Sequence, residues 1–455
     1  MKFNQVIKTD KGMPQAYYCS NMRSCDGGMV ADIRLYKTEE KKAGTPTANL
    51  STIKSWTANG DGIWGTDDAN TYFYGDEFVR ATTLDGVSIV ADFDNNIAII
   101  DKQYIHRSER TTLASTLSSA ATSMELADAS DFPASGQVFI ADGWPEVINY
   151  TGKSGNTLTG LSRGIDYTTD RTHSAGTSVT WFDDNWADLG ESLNDRPSVQ
   201  HENHVFVGNG HYIAGWDDGD VGTFSTNKLD LPAGYTVVAL TSVLMGNQKM
   251  VLIGANRQYE SSIFVWDGED TTWQQRIPME GKIYCMDKNY IGVPGGIYRI
   301  EGGRTILEAP FPGDGGGVYS TLTPLCLLAT TENIYVGASG NATTQSAKSG
   351  LLIWNIQKKE WLFSPLASGD PNNEQIESMI STSGKSLLAG EGNYVDKLRV
   401  EEPAAQSFYQ VYFAPQTGKR LKLTDITLNV DTLRHSDNAY SGQLEFDIIV
   451  RVCAN

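Results

Sequence analysis

The chain has little helix-forming sequence and no long apolar run. Extended Ala/Leu/Glu/Lys stretches are missing from its 455 residues, which excludes a helical bundle or coiled coil as the main architecture. No apolar stretch approaches the ~20 residues a membrane helix needs. The opening MKFNQVIKTDKGMPQ lacks the apolar core of a signal peptide. Cys19, Cys25, Cys285, Cys326 and Cys453 are scattered, and only the first two are close together. Their spacing fits no common zinc pattern, and an odd count without a framework points to assembly in a reducing cytoplasm. Positive charge is scarce: 36 Lys and Arg stand against 55 Asp and Glu, a formal net charge of −19. Such a surface repels phosphates, which argues against sequence-specific nucleic acid binding but suits a wall that guides DNA past without holding it.

Motifs that carry chemistry are also missing. No phosphate-loop sequence occurs, and Gly313-Asp314-Gly315-Gly316-Gly317 is followed by no helix that could cradle a phosphate. Nucleophile elbows are absent. His201 and His204 are spaced i, i+3 just before a strand, one residue short of the zinc-protease spacing. With His211 they read as polar turn residues. Asp92 and Asp94, Asp183 and Asp184, and Asp217, Asp218 and Asp220 are the densest acidic groups. All lie in turn contexts that favour Asp for backbone bonding rather than as a paired glycosidase dyad. Asn59-Gly60-Asp61-Gly62 with Asp67-Asp68, and Asp217-Asp218-Gly219-Asp220, are oxygen-rich, but neither has EF-hand spacing. The expectation is a protein that is not an enzyme, with no catalytic residue, metal or cofactor, and with binding residues unassigned.

What the chain does have is glycine, 45 residues of it, and 10% aromatics. Both favour short strands joined by tight turns. A degenerate unit recurs in which a short apolar strand reaches Gly and a second strand follows, often ending in Trp-Asp or a similar pair. The marker glycines are Gly208, Gly254, Gly292, Gly337 and Gly390, roughly 46, 38, 45 and 53 apart, near the ~40–50 residues of a four-stranded propeller blade. Val87–Asp92 followed by Ile97–Asp101 reads as an earlier copy with Asp in place of Gly. Removing about 72 intervening residues restores the period, so that stretch reads as an insertion within a blade.

The fold expected is all-β: a β-propeller of about six to seven blades with an inserted small β-domain. The alternative is another all-β assembly such as a sandwich array. Residues 1–109 would start the propeller, 110–182 form the insertion, and 183–400 complete the blades. Residues 401–455, strand-like throughout, would close the ring or form a small sandwich. Gly28–Leu35 and Tyr72–Gly75 would supply a further blade. Thr38–Ala48 and Ser339–Gly350 read as exposed loops. Trp144, Trp181, Trp186 and Tyr150 cluster in or beside the insertion, and about half of them should pack its core.

The inserted stretch carries a resemblance. Met124-Glu125-Leu126, Asp131-Phe132-Pro133-Ala134-Ser135-Gly136, Glu146-Val147-Ile148-Asn149-Tyr150-Thr151-Gly152, Leu161-Ser162-Arg163-Gly164 and His173-Ser174-Ala175-Gly176-Thr177 follow in order. Together, Leu113–Trp181 resembles a small β-domain of tailed-bacteriophage structural proteins. The resemblance covers about a sixth of the chain, and on it His173 is structural. It implies a virion protein of the tail, assembled in the bacterial cytoplasm. The role expected is a ring-forming nozzle or hub that contacts adaptor, tube or fibres around the DNA exit channel. The alternative is a tail-tip or fibre-linked protein that binds a host surface receptor, glycan or protein. A propeller enzyme acting on polysaccharide is a third reading.

Overall fold

The computed structural model describes residues 52–75, 78–217, 220–311, 322–339, 350–357, 359–365, 376–382, 387–391 and 394–399. It also describes the strands Lys2–Asn4, Ala16–Ser20, Met22–Cys25, Gly28–Ala31, Lys37–Lys41 and Phe408–Val411. No helix occurs among the described residues. Seven antiparallel four-stranded units do. Blade 1 is Ser55–Ala58, Ile63–Thr66, Thr71–Tyr74 and Phe78–Thr82. Blade 2 is Ser88–Ala91, Ile97–Ile100, Tyr104–Thr112 and the short Ala187–Asp188. Blade 3 runs from Ser198–His201 to Asp220–Asp230, blade 4 from Thr236–Met245 to Gln275–Met279, and blade 5 from Cys285–Asp287 to Arg304–Pro310. Blade 6 begins at Thr323–Ala329 and blade 7 at Ile376–Ser381. The first strand of each blade touches the first strand of the next, and that of blade 7 touches that of blade 1. The cycle is closed, and the protein is a β-propeller.

A single blade cannot bury both its faces, so the apolar wedges between blades hold the ring together. Tryptophans on the third strands fill three of these wedges. Trp216 of blade 3 shares a core with Val90, Ile100 and Ile105 of blade 2. Trp266 of blade 4 meets Phe206 of blade 3 at 4.7 Å between ring centroids. Trp354 of blade 6 packs with Ile297 and Ala309 of blade 5. Large aromatics dominate such cores because each removes a large area from water.

The marker glycines do not make turns. They sit within second strands, where the next blade comes too close for a side chain. A Cβ on Gly254 would lie 2.5 Å from Met286 Sδ of blade 5, and one on Gly337 would overlap the Ile376 carbonyl of blade 7. Opposite each, the first strand carries a bulge, between Val237 and Ala239 and between Pro324 and Cys326. The period read from glycine is therefore the period of blade-to-blade approach.

Several expectations are corrected. In blade 2 the pair Val87–Asp92 and Ile97–Asp101 supplies strands one and two, not the second and third strands that the marker glycines label elsewhere. Thr71–Tyr74 belongs to blade 1, but Gly28–Ala31 pairs with Lys2–Asn4 and Met22–Cys25 in a separate sheet. The ring is closed by Lys37–Lys41, which pairs with Tyr394–Arg399 as the outer strand of blade 7. Part of the expected loop Thr38–Ala48 is thus the closing strand. Phe408–Val411 does not close the ring. It pairs with Ala16–Ser20, which lies along Glu360–Pro365 at the outer edge of blade 6. Gly313–Gly317, 340–349 and the strand-like segments at 421–430 and 444–450 lie outside the described residues.

Tyr104–Thr112 serves two sheets. Tyr104 and Ile105 pair with Asp188 and Ala187 in blade 2, while Ser108–Thr112 pairs with Ser178–Phe182. The chain therefore leaves the blade between its third and fourth strands. The segment continues that sheet through Gly136–Ala141, Glu146–Tyr150 and Ser162–Ile165, with a second sheet of Ser123–Glu125, Thr157–Thr159 and Gly152–Ser154. Val138, Ile140, Ile148 and Val179 face a core of the segment's own. The alternate residues Phe139, Ala141, Val147 and Phe182 join Trp64 and Phe73 of blade 1 and Ile89 and Ile97 of blade 2. The unbroken apolar run Val138-Phe139-Ile140-Ala141 thus marks a strand buried on both faces. The segment is seated on blade 1 as well as on blade 2, from which it is inserted.

Candidate functional site

The residues that carry the phage-domain resemblance converge on one buried carboxylate. Glu146, fully buried on its strand, accepts a forked pair from Arg163, at 2.6 Å from Nε and 2.7 Å from Nη2. It also accepts the Gly164 amide at 2.9 Å and the Arg171 amide at 3.3 Å. His173 Nε2 lies 2.8 Å from its second oxygen, and His173 Nδ1 lies 2.7 Å from Asp142. Arg163 also donates to the carbonyls of Ser118 and Arg171.

Burial alone would raise the Glu146 carboxyl, but the hydrogen bonds from Arg163 and His173 outweigh it and hold it at about 2. Burial would lower His173. The two carboxylates outweigh that and raise it to about 9. The histidine is therefore a cation clamped between two anions, with neither nitrogen free for proton transfer. The motif encodes a polar staple for the segment and contains no nucleophile.

Other sequence candidates are similarly occupied. His201 bridges blades 3 and 4, with Nδ1 2.9 Å from Ser242 Oγ and Nε2 3.1 Å from the Asp267 carbonyl, and burial lowers its pKa. His204, its cross-strand partner, ion-pairs with Asp217 and stacks on Phe206. His211 lies 3.8 Å from Asp230. No group of three metal-ligating side chains forms among the described residues.

Asn59 Oδ1 accepts the amides of Asp61 and Gly62 and the Trp64 indole, a turn cap rather than an ion ligand. Asp61 is forked to Arg110 at 2.7 and 2.6 Å and takes Ser178 Oγ at 2.9 Å, fastening the segment to blade 1. Asp67 accepts the amides of Ala69 and Asn70 and the hydroxyl of Tyr72. Asp92 clasps the buried Arg107 at 2.9 Å, and Asp183 caps its own turn through the Asn185 amide. Asp218 lies outside the described residues.

Of the four aromatics singled out, three are structural. Tyr150 is buried and donates to the Pro133 carbonyl at 3.0 Å. Trp181 leans on Phe132, and Trp186 meets Trp216 edge-on at 5.0 Å in the wedge between blades 2 and 3. Trp144 is different: it is 47% exposed in the turn between Gly136–Ala141 and Glu146–Tyr150. The Arg171 guanidinium carbon lies 4.2 Å from its ring centroid.

Tyr167, which sequence reasoning missed, is 61% exposed. Val147 pairs with Ile165, so Trp144 and Tyr167 leave the sheet at the same end. Asp166 and Tyr167 both have positive φ, 52° and 67°, a strain of about 1–2 kcal/mol for each residue. That turn is held from beneath by Arg80 of blade 1, 2.8 Å from Asp166, and by the Thr168 hydroxyl, which bonds Ile165 and Val147. Only the local pattern around Asp166 and Tyr167 was readable in advance, and nothing in it signals a strained turn.

No protein-family profile and no curated protein sequence matches the chain. Solved structures do match it in fold. It is similar to "YCF48 bound to D1 peptide", with 10% identity and a TM-score of 0.42, covering 82% of this chain and 96% of that one. The WD40 β-propeller domain of Doa1 gives 10% identity and 0.42, covering 81% and 98%. The Cps50 (Swd1) β-propeller domain of Myceliophteria thermophila gives 12% identity and 0.44, covering 79% and 99%. Each is a likeness of fold alone.

Proposed function

We propose that this chain is a structural protein of a tailed-bacteriophage tail, a ring-forming nozzle or hub component that contacts adaptor, tube or fibres. One observation carries the reading. The residues by which Leu113–Trp181 resembles the phage domain, Glu146, Arg163, Gly164 and His173, are the ones that lock that segment's fold. They therefore specify a particular module, not a chance string of turn residues. The acidic balance suits a wall beside DNA. Particles made from the genome that encodes this chain, purified and probed with antibody against it, should carry the label at the tail. Particles of normal composition that lack the chain would overturn the proposal.

A second reading, a receptor-binding protein of the tail tip or fibre base, is favoured by the exposure of Trp144 in the turn between Gly136–Ala141 and Glu146–Tyr150.

A further inference from the structure

Four arginines in and beneath the inserted segment each hold a carboxylate: Arg80 with Asp166, Arg107 with Asp92, Arg110 with Asp61 and Arg163 with Glu146. Arg171 does not. Its main chain is tied into the Glu146 network, but its guanidinium makes no hydrogen bond or ion pair with any described residue and rests only against Trp144. In a chain of net charge −19, the donors of this guanidinium are left unused although carboxylates are plentiful. Asp142 and Glu146, two residues to either side of Trp144, are already committed to His173. At the same end of the sheet, the strained turn at Asp166 and Tyr167 holds a tyrosine in solvent. Strain of this kind persists where surrounding structure over-determines it, and here Arg80, Gln137 and Thr168 do so.

We infer that Trp144, Arg171 and Tyr167 form a binding site for a carboxylated saccharide. The exposed aromatic rings offer flat apolar surfaces with polar edges, on which a sugar ring can stack. The guanidinium offers a planar fork that matches a carboxylate bidentately and stays charged at every accessible pH. Stacking on Trp144 orients the fork before the ligand arrives, which lowers the entropy lost on binding. A neutral sugar would use the rings but leave the fork unpaired. A free carboxylate would use the fork but not the rings.

The inference rests on the second reading above and names its ligand class. The test is an array of uronic- and sialic-acid oligosaccharides beside neutral oligosaccharides of the same length, probed with the full chain and with Arg171→Gln, Trp144→Ala and Tyr167→Ala. These side chains lie outside the segment's core, so thermal unfolding should be unchanged and serves as the fold control. At least one carboxylated saccharide should be retained. Its affinity should fall roughly tenfold or more in Arg171→Gln and in Trp144→Ala, and neutral counterparts should bind at least as weakly as those variants. Retention of no carboxylated saccharide overturns the inference, as does equal retention by either variant. Incorporation of Arg171→Gln into particles at the normal level would show that the tail assignment stands or falls separately.

Discussion

The ring and the inserted segment hold themselves together by different balances of apolar and ionic contact. Between blades the contacts are mainly apolar, with polar bridges such as His201 to Ser242: Trp216, Trp266 and Trp354 fill wedges, and Gly254 and Gly337 let backbones approach. The segment, built from short strands, adds a buried ionic staple to its core, with Glu146 and His173 at its centre. A ring gains apolar burial with each added blade. A small module does not, and a fixed charge network gives it a unique register instead. The two regions meet where Phe139 and Phe182 cover Trp64, at 5.3 and 6.0 Å between centroids.

The most disruptive break of this comparison is deletion of residues 110–180. Had the segment been an outward module, the ring would survive. Because it covers Trp64 and Phe73 and takes with it Arg110–Thr112, the end of the strand shared with blade 2, the remainder should aggregate or lose cooperative unfolding, as followed by calorimetry. Glu146→Gln should cost about 3–5 kcal/mol, since Arg163 and His173 would stay buried without their anion. Limited proteolysis should then cut within 113–181 before it cuts the blades.

The pH dependence separates the regions more gently. The stabilisation from His173 is complete below its ordinary 6.5 and is lost as pH rises through about 9. That of Glu146 is complete above its ordinary 4.5 and is lost as pH falls through about 2. The segment should therefore be most stable between these ordinary values, and should lose on the order of 3 kcal/mol on the alkaline side. His173→Gln should flatten the alkaline slope in thermal melts. The smallest effect is expected for Asp61→Ala, which frees Arg110 and Ser178 at the seam. It should cost about 1 kcal/mol and be read as faster exchange confined to Ser108–Thr112.

These breaks also mark what sequence could reveal. The blade period was legible because the close approach of neighbouring blades demands glycine at Gly254, Gly292 and Gly337. It slipped by one strand in blade 2, where the first two strands are equally short and apolar and no glycine marks the register. The closing strand Lys37–Lys41 was read as loop because its composition is polar and an outermost strand pairs on one edge only. The staple residues were all visible in the phage-like stretch, but their convergence on Glu146 depends on strand pairing that brings Arg163 and His173 together from different turns. Seating on blade 1 was legible only in the run Val138–Ala141, which says that both faces are covered without saying by what. Arg171 carried no signal, because an arginine without a carboxylate partner is recognisable only once all the carboxylates are placed.

The claim that the segment is a fixed part of the ring wall is tested most directly by native-state hydrogen exchange on the intact chain. Gly136–Ala141 and Ser178–Phe182 should exchange together with Ile63–Thr66 and Thr71–Tyr74 of blade 1, through a shared opening of the same free energy. Opening of the segment at lower free energy, with blade 1 still protected, would contradict it.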